Sequence, residues 1–276
     1  MYPRQAYQTR RRGGLPLGRL LIAGLIVISS LIAYFGNSEE NPITGETQHV
    51  GISVEQEIAL GLQAAPEMAD QFGGLDPDAN AQAIVDDVGQ QIVAGSPAGR
   101  SPYEFDFHLL ADNETINAFA LPGGQIFITR ALFDRLQREG ELAGVLGHEV
   151  GHVVGRHSAE RIAKAQLTEG LTGAVVIATY DPDNPSSAGT AQMAVLIGQL
   201  VNMRYGREDE LESDVLGVCF LNDAGYDPND LIQVMRVLAE ASQGQAPPEF
   251  FSTHPNPENR IEQIQNAIQN LEQCPN

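Results

Sequence analysis

Cysteine is missing from the chain until Cys219, and only Cys274 follows it. That excludes a lipoprotein anchor on a processed N-terminal cysteine. It leaves two alternatives for the pair, one disulfide in an oxidising compartment or two buried thiols. Acidic residues are missing from the first 38 positions, which carry Arg4, Arg10, Arg11, Arg12 and Arg19. The remainder is short of the opposite sign, since 11 of the 16 basic residues stand there against all 36 acidic ones. A body this acidic is repelled by nucleic acid and by anionic head groups, which discounts DNA, RNA and electrostatic membrane binding. Internal repeats are also absent, and low-complexity sequence is confined to the loop at 181–187. With 276 residues and 42% hydrophobic content, the chain reads as globular, with one folded domain behind its N-terminal segment.

That segment holds the one long apolar run. Leu20 to Phe35 carries no charge, and extension back to Leu15 is interrupted only by Arg19, which can snorkel. Arg10, Arg11 and Arg12 precede the run and Glu39 and Glu40 follow it, so the positive-inside bias puts residues 1–14 in the cytoplasm and the body outside. A signal peptide is the competing reading, but Ala33 is followed by Tyr34 and Phe35 rather than by a small-residue cleavage site. A retained anchor over 15–36 is favoured, then a turn-rich linker over 37–52 and a folded domain over 53–276.

Within that domain, helices are expected from Ser53 to Ala65, with Val54, Ile58, Leu62 and Ala65 inward, and from Asn80 to Ala94, with Ile84, Val85, Val88, Ile92 and Val93 inward. Alternation predicts strands at 105–110, 118–121 and 125–129, the last two around the Pro122-Gly123-Gly124 turn. Helices dominate afterwards, so the fold class is α+β, mainly helical with a small antiparallel sheet. The apolar runs Gly170–Tyr180 and Ala191–Met203 are each too short to span a bilayer and suggest a helical hairpin.

His148-Glu149-Val150-Gly151-His152 matches H-E-x-x-H, which sets two histidines on one helix face where they can share a metal, with Glu149 beside them as a base. Gly144, Gly147, Gly151 and Gly155 run along the same helix. Each costs about 0.5–1 kcal/mol relative to alanine there, so something must approach closely. A catalytic zinc needs a third protein ligand. His157 falls one residue short of the metzincin position, a turn of about 100° on a continuous helix, and is set aside. The acidic stretch after Arg207 offers Glu210 as the ligand and Asp214, one turn on, as the acceptor that fixes a ligand histidine's tautomer, with Glu208 and Glu212 facing solvent.

These motifs resemble the M48 family of zinc metallopeptidases, which includes prenyl proteases and periplasmic quality-control proteases. The likeness extends from Asn41-Pro42-Ile43-Thr44-Gly45 through Asn117-Ala118-Phe119-Ala120-Leu121-Pro122-Gly123-Gly124, the His148–His152 motif with Arg156-His157-Ser158, and Arg207 to Asp214. It ends at His254-Pro255 and Arg260. Gly206 stands where the family often has serine, and Ser213 where it has alanine. The resemblance implies a gluzincin-type domain with one Zn2+ on His148, His152 and Glu210, and Asp214 behind them. It also implies Glu149, His254 and Arg260 in catalysis, with His254 and Arg260 acting on the oxyanion or on access. Asn117, Ala118, Phe119 and Ala120 form a short strand expected to pair with extended substrate. A single anchor points to the periplasmic branch, an inner-membrane protein acting outside the cytoplasm on unfolded or misfolded proteins. The alternative is a catalytically silent zinc-binding holdase, against which the intact Glu149 argues.

Overall fold

The computed structural model describes residues 17–179, 205–242, 248–254 and 259–275. They fall into two compact units, one of residues 17–36 and 165–179, the other of 37–164 and the residues from Tyr205 on. The basic N-terminus, the 181–187 loop and the run Ala191–Met203 lie outside the described residues.

In the first unit α1 (Leu17–Gly36) is a 20-residue helix long and apolar enough to cross a membrane, with a mean hydropathy of 2.0, and only Ala23 on it is buried. This unit also holds the second half of α6 (His157–Thr179).

The second unit begins with structure where a linker was expected. β1 (Ser38–Glu40) and β2 (Thr47–His49) form an antiparallel hairpin. Asn41 Oδ1 accepts from the N–H groups of Ile43 and Thr44 at 2.9 and 3.1 Å, and Gly45 closes the turn at φ +74°. α2 (Val54–Gln71) starts at a capping box between Ser53 and Gln56. Its buried positions are Glu57, Gly61 and Ala69, whereas Leu62, expected inward, is 56% exposed. The cause is the 122–124 turn, which lies against this face so tightly that a side chain at Gly61 would run into the Pro122 carbonyl. α3 (Ala79–Gly95), capped by Asp78, buries Val85, Val88 and Ile92 and leaves Ile84 exposed.

The sheet has β5 (Gln125–Thr129) at its centre, β4 (Ala118–Ala120) antiparallel on one side and β3 (Asp106–Leu110) parallel on the other. It is therefore mixed, because alternation marks a strand without naming its neighbour. The pleat sends Phe107, Leu109, Ala118, Ala120, Ile126 and Ile128 into the main core, and Leu110, Phe119 and Phe127 onto Ala69, Met68 and Phe72.

A one-turn helix α4 (Arg130–Phe133) leads to α5 (Glu139–Val154), buried from Gly140 to its end. Against it lie α7 (Arg207–Asp223) and α8 (Asn229–Ala241), and the glycine stripe marks where they touch. A Cβ on Gly151 would stand 3.0 Å from the Ser213 carbonyl oxygen, and one on Gly144 3.2 Å from Leu231 Cα. From the other side, a Cβ on Gly217 of α7 would meet the His148 backbone nitrogen at 3.3 Å. The unit closes with α9 (Phe250–Thr253) and α10 (Arg260–Gln269), and a Cys219–Cys274 disulfide ties the C-terminal segment to α7.

Candidate metal centre

One turn of α5 stacks His148 and His152, and the crossing of α7 brings Glu210 beneath them; all are 1% exposed or less. His148 Nε2 and His152 Nε2 stand 3.1 Å apart, and Glu210 Oε1 is 3.4 Å from His152 Nε2. A fourth donor comes from the residue that ends α9, His254, whose Nδ1 lies 3.0 Å from Glu210 Oε1 and 3.5 Å from His148 Nε2. Four donors on one metal at bond lengths of about 2.0–2.1 Å are separated by about 3.3 Å when tetrahedral, close to these spacings.

The ligands are held from behind. Asp214 Oδ1 takes His148 Nδ1 at 3.0 Å, fixing the tautomer that leaves Nε2 free to coordinate. Asp214 is itself gripped by both arms of Arg260, at 2.6 and 2.8 Å, and Arg260 Nη1 reaches Glu210 Oε2 at 3.2 Å. His152 is served by His157, whose Nδ1 lies 2.8 Å from His152 Nδ1, with Ser213 Oγ 3.3 Å and Glu212 3.2 Å away. Aromatic rings wall the centre, Tyr205 stacking on His152 at 4.1 Å and Phe250 on His254 at 4.4 Å.

His157 reaches this place because α5 does not continue into α6. Arg156 sits between them in the left-handed region at φ 55°, which costs roughly 1–2 kcal/mol for a side-chain-bearing residue. A buried ion pair with Glu57, a second with the exposed Glu39 and a bond to the Ile52 carbonyl hold it there. The hairpin caps the same helix end, Asn41 donating to the Val154 carbonyl at 2.8 Å and Gln48 to that of Gly155. The kink makes a continuous-helix phase argument inapplicable to His157, whose ring lies behind His152 rather than among the four converging donors. Glu212, expected in solvent, is half-buried against His157, whereas Glu208 is exposed.

The charged groups of this buried site shift one another. Burial would raise Glu210, but His254 and His152 hold its carboxyl far below the usual range. Burial likewise opposes ionisation of Asp214, and Arg260 and His148 outweigh it. Burial pulls His254 down, and the facing Glu149 and Glu210 carry it above its ordinary value. Glu149 is raised by burial, which outweighs the pull of His254 and His148. Among the described residues, both Glu149 oxygens and His254 Nε2 are buried without a hydrogen-bond partner, although His254 Nε2 comes within 3.5 Å of Glu149 Oε1. Such groups are costly unless an ion or water completes them. Imidazoles with a carboxylate are a donor set suited to zinc, so the residues fit a metal.

The structure thus brings together His148, Glu149, His152, Glu210, Asp214, His254 and Arg260, while Pro255 lies outside the described residues. Asn117, Ala118, Phe119 and Ala120 lie nearby on the sheet's edge. Sequence reasoning passed over Tyr205 and Phe250, which no periodicity singles out, and the orienting role of His157, hidden by the kink.

The model of peptidase family M48 matches residues 79–268. The beta-barrel assembly-enhancing protease of Escherichia coli (strain K12) is 29% identical over 265 residues, which cover 91% of this chain and 52% of that protein. Its counterpart from Yersinia pestis is 30% identical over 245 residues, 85% of this chain and 48% of that protein. The mitochondrial metalloendopeptidase OMA1 of Schizosaccharomyces pombe is 30% identical over 248 residues, 88% of this chain and 70% of that protein. The chain therefore spans about half the length of the bacterial relatives it matches.

Zinc titration against a chromophoric chelator separates ligand from support. Glu210→Ala should lose most affinity, whereas His157→Ala and Glu212→Ala should lose roughly 10–100-fold, the usual cost of removing an orienting partner. Wild-type affinity in both supporting variants would disprove the relay behind His152.

Proposed function

The chain belongs to peptidase family M48, and from that premise we propose that it is a zinc-dependent endopeptidase cutting unfolded or misfolded envelope or membrane proteins. The observation that carries this reading is Glu149, a fully buried carboxylate facing the histidine cluster with neither oxygen hydrogen-bonded among the described residues. A silent zinc-binding holdase needs His148, His152 and Glu210 but has no use for that costly group.

Zinc bound here supplies Lewis acidity, making water acidic near neutrality and polarising a carbonyl. Glu149, its proton affinity raised by burial, takes a proton from the attacking water and delivers it to the leaving amine. His254, drawn toward its cationic form by Glu149 and Glu210, is suited to stabilise the oxyanion. Its Nδ1 is the fourth donor of the cluster, so with zinc held by His148, His152 and Glu210, His254 would govern access as well. Arg260 holds Asp214 and Glu210 in place.

Substrate binding on β4 has support in the sheet's register. Thr129 N–H donates to the Asn117 carbonyl and Leu121 N–H to that of Gln125, so Ala118 and Ala120 between them turn their backbone groups away from β5. Among the described residues no strand pairs with that edge, and Ala120 and Leu121 line a small pocket with Pro122, His152 and Arg156. An extended peptide pairing there is read through its main chain, giving affinity with little sequence demand. The names of the relatives, enhancing β-barrel assembly or acting in mitochondria, support an envelope or membrane setting. For the side of the membrane, the arginine bias before Leu20 and the Cys219–Cys274 disulfide both favour an extracytoplasmic domain.

Glu149→Gln should keep its zinc and lose casein hydrolysis, by metal analysis beside a protease assay; continued turnover would remove Glu149 as the base. Ala118→Pro deletes an edge N–H and should raise KM with zinc content intact. Wild-type kinetics in a folded Ala118→Pro protein would exclude this edge as the cradle. A C-terminal alkaline phosphatase fusion should be active in cells, and an inactive one beside a working cytoplasmic reporter would reverse the orientation.

A further inference from the structure

The first unit contains a contact that the proposed chemistry leaves unused. α1 exposes a nearly continuous apolar surface, with Leu21, Leu25, Ile28, Ile32 and Phe35 each more than half exposed. On its one covered side, Ser30 meets the second half of α6 so closely that a Cβ on Gly170 would stand 2.1 Å from Ser30 Oγ and 3.0 Å from its Cβ. Ala174, one turn past Gly170, is 2% exposed, and Ala23, two turns before Ser30, is the buried residue of α1. Small residues on both helices thus let the two backbones approach, the packing that holds helices together where lipid surrounds them.

Depth follows from the contact. Ser30 lies five residues inside the end of the charge-free run at Phe35, or about 7–8 Å along a helix rising 1.5 Å per residue. If α1 crosses the bilayer, that level is within the hydrocarbon, and whatever touches Ser30 is there too. The sequence of α6 accords with this, since Glu169 is its last charged residue and Gly170 to Thr179 carries none. This stretch is too short to cross alone, but a helix beside an existing span need only enter.

We propose that the second half of α6, from Gly170 onward, is inserted among the acyl chains of the bilayer against α1, so that the chain meets lipid through two segments. The occupant of its outer surface is hydrocarbon, argued from the Ser30–Gly170 contact and the absence of charge. The inference rests on α1 being a retained anchor, and the experiment is arranged to separate the two.

Because Cys219 and Cys274 are joined, single cysteines introduced elsewhere can be spin-labelled selectively. The full-length chain, labelled at Leu171→Cys, Ile177→Cys, Ile28→Cys or Glu208→Cys, is reconstituted into phosphatidylethanolamine/phosphatidylglycerol vesicles. Collision rates with oxygen and with a water-soluble nickel chelate are then measured. Labels at Leu171 and Ile177 should show the high oxygen-to-nickel ratio of Ile28, and Glu208 the reverse. If Ile28 reads as lipid while Leu171 and Ile177 read as water, or collide with neither reagent, the insertion is overturned and the anchor stands. If Ile28 itself reads as water, the anchor reading falls and this inference with it.

Discussion

Two helices carry three of the four converging donors, and they cross with backbone against backbone. Gly151 of α5 lies under the Ser213 carbonyl, and Gly217 of α7 lies against the His148 nitrogen. A side chain at either of these glycines would push the helices apart by a few tenths of an ångström, and Glu210 of α7 stands 3.4 Å from His152 of α5. The helix-weakening glycines are therefore the condition for bringing a carboxylate to two histidines on a neighbouring helix.

Once assembled, the site is an electrostatic problem in a dry place. Glu149, Glu210 and Asp214 are all fully buried, and the one buried guanidinium among them, Arg260, is committed to Asp214 and Glu210. A dication at the meeting point of His148, His152 and Glu210 would join Arg260 and His254 in stabilising these carboxyl groups. Metal affinity, ligand orientation and the basicity of Glu149 are in this sense one property: removing a partner from the rear of the site changes how charge is shared at the front.

The converging donors were legible because their geometry is local. A spacing of four puts His148 over His152, and the same spacing puts Glu210 over Asp214. The glycine stripe correctly announced a close neighbour. What escaped sequence reading depends on long-range contacts. The left-handed Arg156, held by Glu39 and Glu57 from distant segments, redirects the chain so that His157 backs His152. The burial of Glu57 and Gly61 in place of Leu62 is dictated by a turn 60 residues away at Pro122. The hairpin over 38–49 has polar strands with little alternation, and its purpose, capping the end of α5, shows only once that end is in place. β3 could be read as a strand, but nothing in it says that it runs parallel to β5.

Everything described depends on α5 and α7 building one nitrogen- and oxygen-donor metal site. Zinc K-edge X-ray absorption on the metal-loaded, full-length protein tests it most directly. One zinc per chain is expected, with only nitrogen and oxygen neighbours at about 2.0–2.1 Å and imidazole scattering from at least two histidines. A sulfur scatterer near about 2.3 Å, or a shell without imidazole, would place the metal elsewhere and contradict it.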